Sequence, residues 1–225
     1  MPDSHGMGHC TQVLNHMYKT LEGSTLPEER QLSMKLGALL HDADDRKYFA
    51  SDSKNAENII TESLSEVDQE KILDNHQKIL DDTILMISMV SASGNGNKVP
   101  PEAIENPELL WVRFCDRLEA IGPIGAVRCY QYAVEKGNPL DVPGSTPKPQ
   151  SAEEVWSHVK PERFEEYQRT GASASMLDHY YDKLLQIAHF DPKVVQNEYL
   201  QNEASRRVQP LVDVCLEYGK NGEVP

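Results

Sequence analysis

Helical periodicity runs along almost the whole of this sequence, and no alternating apolar and polar segment long enough for a strand interrupts it. Val13, Leu14, Met17, Tyr18 and Leu21 recur at i, i+1, i+4, i+5 and i+8, an apolar stripe on one helix face. Leu32, Leu36, Leu39 and Leu40 mark a second helix that runs into His41 and Asp42. Just before it, STLPEE spaces Thr25 and Glu28 as a capping box and sets Pro27 for a first turn. Further helices are predicted over 55–64, once or twice between 66 and 91 up to the breaker run SASGNGN, and on both sides of Gly122-Pro123. Helical pattern resumes at Ala152, again over 175–188, and finally over 191–218. In that last stretch Asp191-Pro192 suits a cap, Gly219 suits a stop, and Pro210 should kink or divide the helix. The reading is an all-α chain.

Between 137 and 150 the composition changes, with Pro139, Pro143, Pro147 and Pro149 in one short stretch. A connection of that length is often functional, and a lid is expected there. The organisation predicted is a single domain over 1–225, with a core over about 1–136, the loop or lid over about 137–150, and C-terminal helices over about 151–220. The 225 residues suffice for such a core.

Charge narrows the partners. Lys and Arg number 22 against 36 Asp and Glu, a net −14, so the global field repels nucleic-acid polymers and anionic membrane surfaces. A small phosphate-bearing substrate is compatible, because its contacts depend on a local site. No run approaches the roughly 18 apolar residues of a spanning helix, and MPDSHGMGHC has neither a basic n-region nor an apolar h-region. Cys10, Cys115, Cys129 and Cys215 are scattered without a CxxC pair. Free thiols and a cytoplasmic location are expected.

The residues that suggest chemistry are His9, the doublet His41-Asp42, and Asp116, each on a predicted helix. Histidines and carboxylates projecting from facing helices are how helical bundles build metal sites. Two imidazoles and two carboxylates suit one divalent ion, Mn, Fe, Co, Ni or Zn, and less comfortably Mg. Taken singly, each has an ordinary reading. His9 could be a surface histidine, His41 a cation against a helix dipole, and Asp116 an ion-pair partner of a neighbour.

The segments around these positions, SHGMGHCTQV, LGALLHDADDRKYF and FCDRLEAIGPIGAVR, together resemble the HD-domain superfamily of metal-dependent phosphohydrolases. They look most like its small stand-alone YedJ-like group, and HYYDKLLQI resembles that group's closing segment. The resemblance implies an HD-type helical bundle with additional C-terminal helices, and metal ligation by His9, His41, Asp42 and Asp116. It implies that Asp45 orients or deprotonates a water, and that Lys47, His179 and Lys183 face the substrate. Arg117 and Arg128 are further candidate phosphate contacts. His5, four residues before His9, could line the pocket or donate a proton to the leaving group. Asp45 could equally cap a turn. His16, His76, His158 and His189 have no motif context, and Cys10 and Cys115, though adjacent to ligand positions, should point away from the ion.

Two departures from the family pattern stand out. Phe114 occupies a place where the group commonly has another Asp, and the stretch 89–97 has no histidine to build a second metal position. One metal and a simple hydrolytic role follow. The first motif also starts close to the beginning of the sequence, where the family usually has preceding residues, so a trimmed N-terminus is an expectation. The implied activity is hydrolysis of a phosphate ester of a nucleotide or related small metabolite. The alternatives are a non-catalytic nucleotide- or protein-binding module on the same scaffold and, with less support, a di-iron oxygenase of the superfamily.

Overall fold

The computed structural model describes residues 6–45, 49–50, 52–66 and 75–225. It is 68% helix, with no strand among the described residues. The all-α expectation holds. No described helix is long and apolar enough to cross a membrane. All four cysteines are free thiols. The chain gathers into two units, one of residues 1–90, 99–116 and 195–199, the other of 91–98, 117–194 and 200–225.

The first unit begins with α1 (Met7–Thr20), α2 (Glu28–Leu40), α3 (Asn55–Glu66) and α4 (His76–Ser88). On α1 the buried positions are Cys10, Val13, His16, Met17 and Thr20, and His9 sits one turn before Val13 on the same stripe. Helix α2 packs on both α1 and α4. The seam between α2, α3 and α4 is filled by Ile60, Leu64 and Ile79, with Leu32, Leu36, Leu40, Leu80 and Ile84 against them. Met86, Met89 and Val90 are buried, so the apolar run over 84–90 is core.

Two short helices follow, α5 (Ala92–Asn95) and α6 (Glu102–Glu105), the first in the second unit and the other in the first. After them comes α7 (Trp111–Ile121), whose residues to Asp116 belong to the first unit. A Cβ on Gly37 would stand 3.2 Å from Val112 Cγ2, so the glycine admits α7 close against α2. One turn on from that contact, each helix carries a polar residue, His41 and Asp116.

The second unit contains α8 (Pro123–Lys136), α9 (Ala152–Ser157) and α10 (Pro161–Thr170). Next is a continuous helical stretch made of α11 (Met176–His179), a π turn (Tyr180–Leu184) and α12 (Leu185–Ile187), and the chain closes with α13 (Glu198–Asn221). The loop over 137–150 is not helical, as expected, but it is fastened within its unit. Met176 and Leu177 donate backbone N–H groups to Pro139 and Leu140 at 2.9 and 3.0 Å. Tyr218 donates its hydroxyl to Asp141 at 2.8 Å. Any opening of this segment as a lid would have to break those bonds.

Four local expectations are corrected. The Thr25–Glu28 capping box does not form, because Glu28 is already the first helical residue and Pro27 the N-cap; Ser24 Oγ instead accepts from Leu26 N. The last helix starts at Glu198, not at 191. Asp191 closes a local turn, accepting from Lys193 N on its carboxylate and from Val194 N on its carbonyl, so the 191–197 segment stays outside the helix. Pro210 lies inside α13, so of the two outcomes expected there, division is the one that fails. Gly219 is not the stop: a Cβ there would lie 1.9 Å from the Pro149 carbonyl oxygen, and the left-handed glycine at the helix end is Gly222, φ 75°.

Candidate metal centre

His9, His41, Asp42 and Asp116 converge within the first unit. His9 reaches the cluster from the first turn of α1, His41 and Asp42 from the turn that ends α2, and Asp116 from α7. The two imidazole Nε2 atoms are 3.2 Å apart. His9 Nε2 is 3.2 Å from Asp116 Oδ1 and 3.8 Å from Asp42 Oδ2. His41 Nε2 is 3.5 Å from Asp42 Oδ2 and 3.6 Å from Asp116 Oδ1. Bonds of about 2.0–2.2 Å to a shared divalent ion place neighbouring ligand atoms about 3.0–3.6 Å apart. Four of the five spacings fall in that range, and the His9–Asp42 distance is slightly longer. His9 and His41 are 7% and 1% exposed at the side chain, whereas Asp116 is 28% exposed, so one side of the cluster is open to a small ligand.

The donor chemistry fits as well. His41 Nδ1 lies 2.9 Å from the Ala38 carbonyl oxygen. A carbonyl can only accept, so Nδ1 carries a hydrogen and Nε2 is the nitrogen turned toward the cluster. That fixed tautomer is the usual second-sphere device of a histidine ligand. Burial alone would lower the His41 pKa, but the carboxylates of Asp116 and Asp42 outweigh it and raise it to about 9. Burial would raise Asp116, and the two histidines overcome that and hold its carboxyl far below the usual range. The carboxylates thus favour positive charge on the neighbouring imidazole, and a cation bound there would take the place of that proton. Two histidines and two carboxylates supply the mixed N/O set of a first-row divalent ion.

The remaining site candidates are distributed as follows. His5 and Lys47 lie outside the described residues. Asp45 is half-buried in the turn after the doublet, its N–H donating to the Asp42 carbonyl at 3.2 Å and its carbonyl accepting from Phe49 N at 3.0 Å. Arg117, Arg128, His179 and Lys183 fall in the second unit. Arg117 is 2% exposed and donates to Asn97 Oδ1 at 2.9 Å and to the Gly96 carbonyl at 2.6 Å. That guanidinium braces the 91–98 segment, a role its position after Asp116 did not reveal. His179 pairs its Nδ1 with Ser173 Oγ at 3.2 Å and stands edge-on to Tyr167, over whose ring Lys183 also lies. Burial first, and then Lys183, push the His179 pKa down to about 3. A neutral imidazole in that place can donate a hydrogen bond but carries no charge to a phosphate.

Phe114 is 4% exposed and serves as core, which accounts for an apolar residue at that position. Cys10 and Cys115, next to His9 and Asp116 in sequence, are also buried. Burial and then the charges of Asp42 and Asp116 push Cys10 up to about 11, and burial pushes Cys115 up to about 12, so both remain thiols.

Asp44 was missed. It accepts from Ser53 Oγ and Asn55 N, both at 2.7 Å, and from Ala56 N at 3.1 Å, capping α3 from eleven residues away. Those bonds depress its carboxyl against the opposing effect of burial. Local spacing could not reveal a cap supplied across a loop, whereas a cap adjacent to its helix, such as Ser151 accepting from Glu154 N, is legible.

No protein-family model matches the chain. Two solved structures share its fold, a structural-genomics protein from Lactobacillus plantarum and the Lin1889 protein from Listeria innocua, each with a TM-score of 0.59 and 18% identity. The first alignment covers 97% of this chain and 88% of the other, the second 98% and 89%. Identity that low speaks to the fold alone. The uncharacterised protein L803 of Acanthamoeba polyphaga mimivirus is 33% identical over 221 residues, 95% of this chain and 88% of the relative. With that identity over nearly its full length, the chain belongs to the same family as the mimivirus protein L803.

Proposed function

We propose that this chain is a single-metal phosphohydrolase of the HD type, cleaving a phosphate mono- or diester of a nucleotide or related small metabolite. The observation that carries the reading is the convergence of His9, His41, Asp42 and Asp116, residues up to 107 positions apart in sequence, with the two imidazole Nε2 atoms 3.2 Å apart and each 3.2–3.8 Å from an oxygen of both carboxylates. The ordered likeness of their flanking segments to the HD superfamily supports it. A divalent ion held by these four would supply Lewis-acid polarisation of a phosphoryl oxygen and a water nucleophile near neutral pH.

The chain's own groups do the rest. The Ala38 carbonyl holds the His41 ring in the ligating tautomer. Asp116, the most exposed of the four, faces the side from which a phosphate could enter. Asp45, fixed by its backbone next to the doublet, is the candidate to orient or accept a proton from the attacking water, if it comes within hydrogen-bond reach.

The test is phosphate release from a panel of nucleotides and phosphate esters, with Mn, Fe, Co, Ni, Zn or Mg added singly. We expect metal-dependent release that Asp42→Ala removes. Release that persists unchanged in Asp42→Ala, or no release with any ion, overturns the reading. A chain that also takes up no metal on titration would then be a non-catalytic binding module.

A further inference from the structure

A cleft of about 430 Å³ lies in the first unit, lined by Ala43, Phe49, Asn55, Asn58, Ile59 and Glu62. That volume is within the range of small-molecule sites. Ala43 follows Asp42 directly, so one wall of the cleft is the same turn that presents two of the four ligands. The opposite wall is one face of α3, since 55, 58, 59 and 62 are spaced i, i+3, i+4 and i+7. The two walls are tied together: Asn55 Nδ2 donates to the Ala43 carbonyl at 2.9 Å, and Asp44 caps the first turn of α3. The cleft is therefore held in fixed register with the His41–Asp42 turn.

Its lining decides what fits. Phe49 contributes an aromatic ring to the lining and Ile59, 44% exposed, an apolar side chain. Asn58 adds a carboxamide, which presents a donor and an acceptor side by side, and Glu62 adds an acceptor-only carboxylate. Among the described residues that line it none is cationic, and Glu62 repels a phosphate. A flat, uncharged, hydrogen-bonding group is favoured. Unstacked bases are recognised by aromatic faces, carboxamides pair with base edges, and carboxylates accept from exocyclic amines.

We propose that this cleft is a nucleobase pocket selecting bases that carry an exocyclic amine, with Phe49 as the stacking face, Asn58 on the base edge and Glu62 accepting from the amine. The inference deepens the phosphohydrolase reading and rests on it for the assignment of the phosphate to the metal cluster.

The test uses the full chain stripped of metal by chelation and titrated with adenosine, cytidine, inosine or uridine, followed by amide proton–nitrogen spectra. Adenosine and cytidine should shift the amides of Phe49 and residues 55–62, binding at least about fivefold more tightly than inosine and uridine, roughly the worth of one hydrogen bond. Asn58→Leu should weaken all four, and Glu62→Gln, whose amide can also donate, should abolish or invert the preference. Both positions are exposed on α3, so the fold should tolerate the changes, and circular dichroism checks that it does. No shift with any nucleoside, equal shifts with all four, or shifts away from the cleft overturn the proposal. Metal-dependent phosphate release from other esters, with no nucleoside binding, would overturn the pocket alone. Selective nucleoside binding without hydrolysis would uphold the pocket and overturn the enzyme.

Discussion

In the second unit, Asp178 accepts from Arg163 Nη2 at 2.8 Å on one oxygen, and from Ser175 and Thr146 hydroxyls at 2.7 and 2.8 Å on the other. Arg163 also reaches Asp182 at 2.6 Å through Nε. In the first unit, by contrast, His9, His41, Asp42 and Asp116 bring two imidazole nitrogens and two carboxylate oxygens toward one another. Both clusters are buried and charged. Donors surround the carboxylate in one, and two imidazole nitrogens face two carboxylate oxygens in the other. Burying a charge is costly without a partner, so the Arg163–Asp178 group has the makings of a self-sufficient strut, while the His9–Asp116 group is the one our proposal gives to a metal ion.

Changes at each cluster should therefore have different consequences. The largest effect is expected from Asp116→Ala. Metal bound per chain after dialysis, measured by elemental analysis, should fall at least about a hundredfold in affinity, the upper end of what even outer-sphere changes cost, and the thermal stabilisation given by added metal should vanish with it. An unchanged metal content would break the contrast. Next is Asp178→Ala, which leaves Arg163 with Asp182 and strands the Thr146 and Ser175 hydroxyls. Denaturant unfolding should show a loss of about 3 kcal/mol, while the folded variant keeps its full metal stoichiometry. A loss of metal at constant stability would reverse the two assignments.

The smallest effect is a pH dependence on α13. There the Arg206 hydrogen bonds hold the Glu203 carboxyl at about 2, against some opposing burial and with further help from Arg207. Its folded pKa lies below the ordinary 4.5. The stability it contributes is thus fully present above about pH 4.5 and is lost as the pH falls toward 2. Thermal midpoints of the wild type and Glu203→Gln should differ by the equivalent of no more than about 1 kcal/mol at pH 6, and converge near pH 2. A difference that grows on acidification would contradict the pairing.

How much of this was readable beforehand varies from element to element. The helices over 55–66 and 123–136 were predicted closely, because apolar spacing and a Gly-Pro start are local signals. The start of α13 was placed seven residues early, since Asp191-Pro192 has the residues of a cap but uses them to close a turn. At the candidate site, the four residues that converge are the four that the motifs single out. Arg117 was read as a phosphate contact, and only the structure shows its guanidinium on Gly96 and Asn97. Asp44 and the α3 face of the cleft were not seen at all, for the cap acts across a loop and the face is formed by residues without any motif.

The sequence by itself determined the all-α class, the apolar stripes and the identity of the metal-ligand candidates, because helix periodicity and short motifs are written in neighbouring residues. Only the tertiary structure decided that positions 9, 41, 42 and 116 meet. That meeting depends on α7 packing into the gap left by Gly37, so that Val112 contacts α2 one turn before His41 and Asp116 arrives beside it. Contacts of that kind are set by side-chain shape between distant helices, which no local pattern in the chain records.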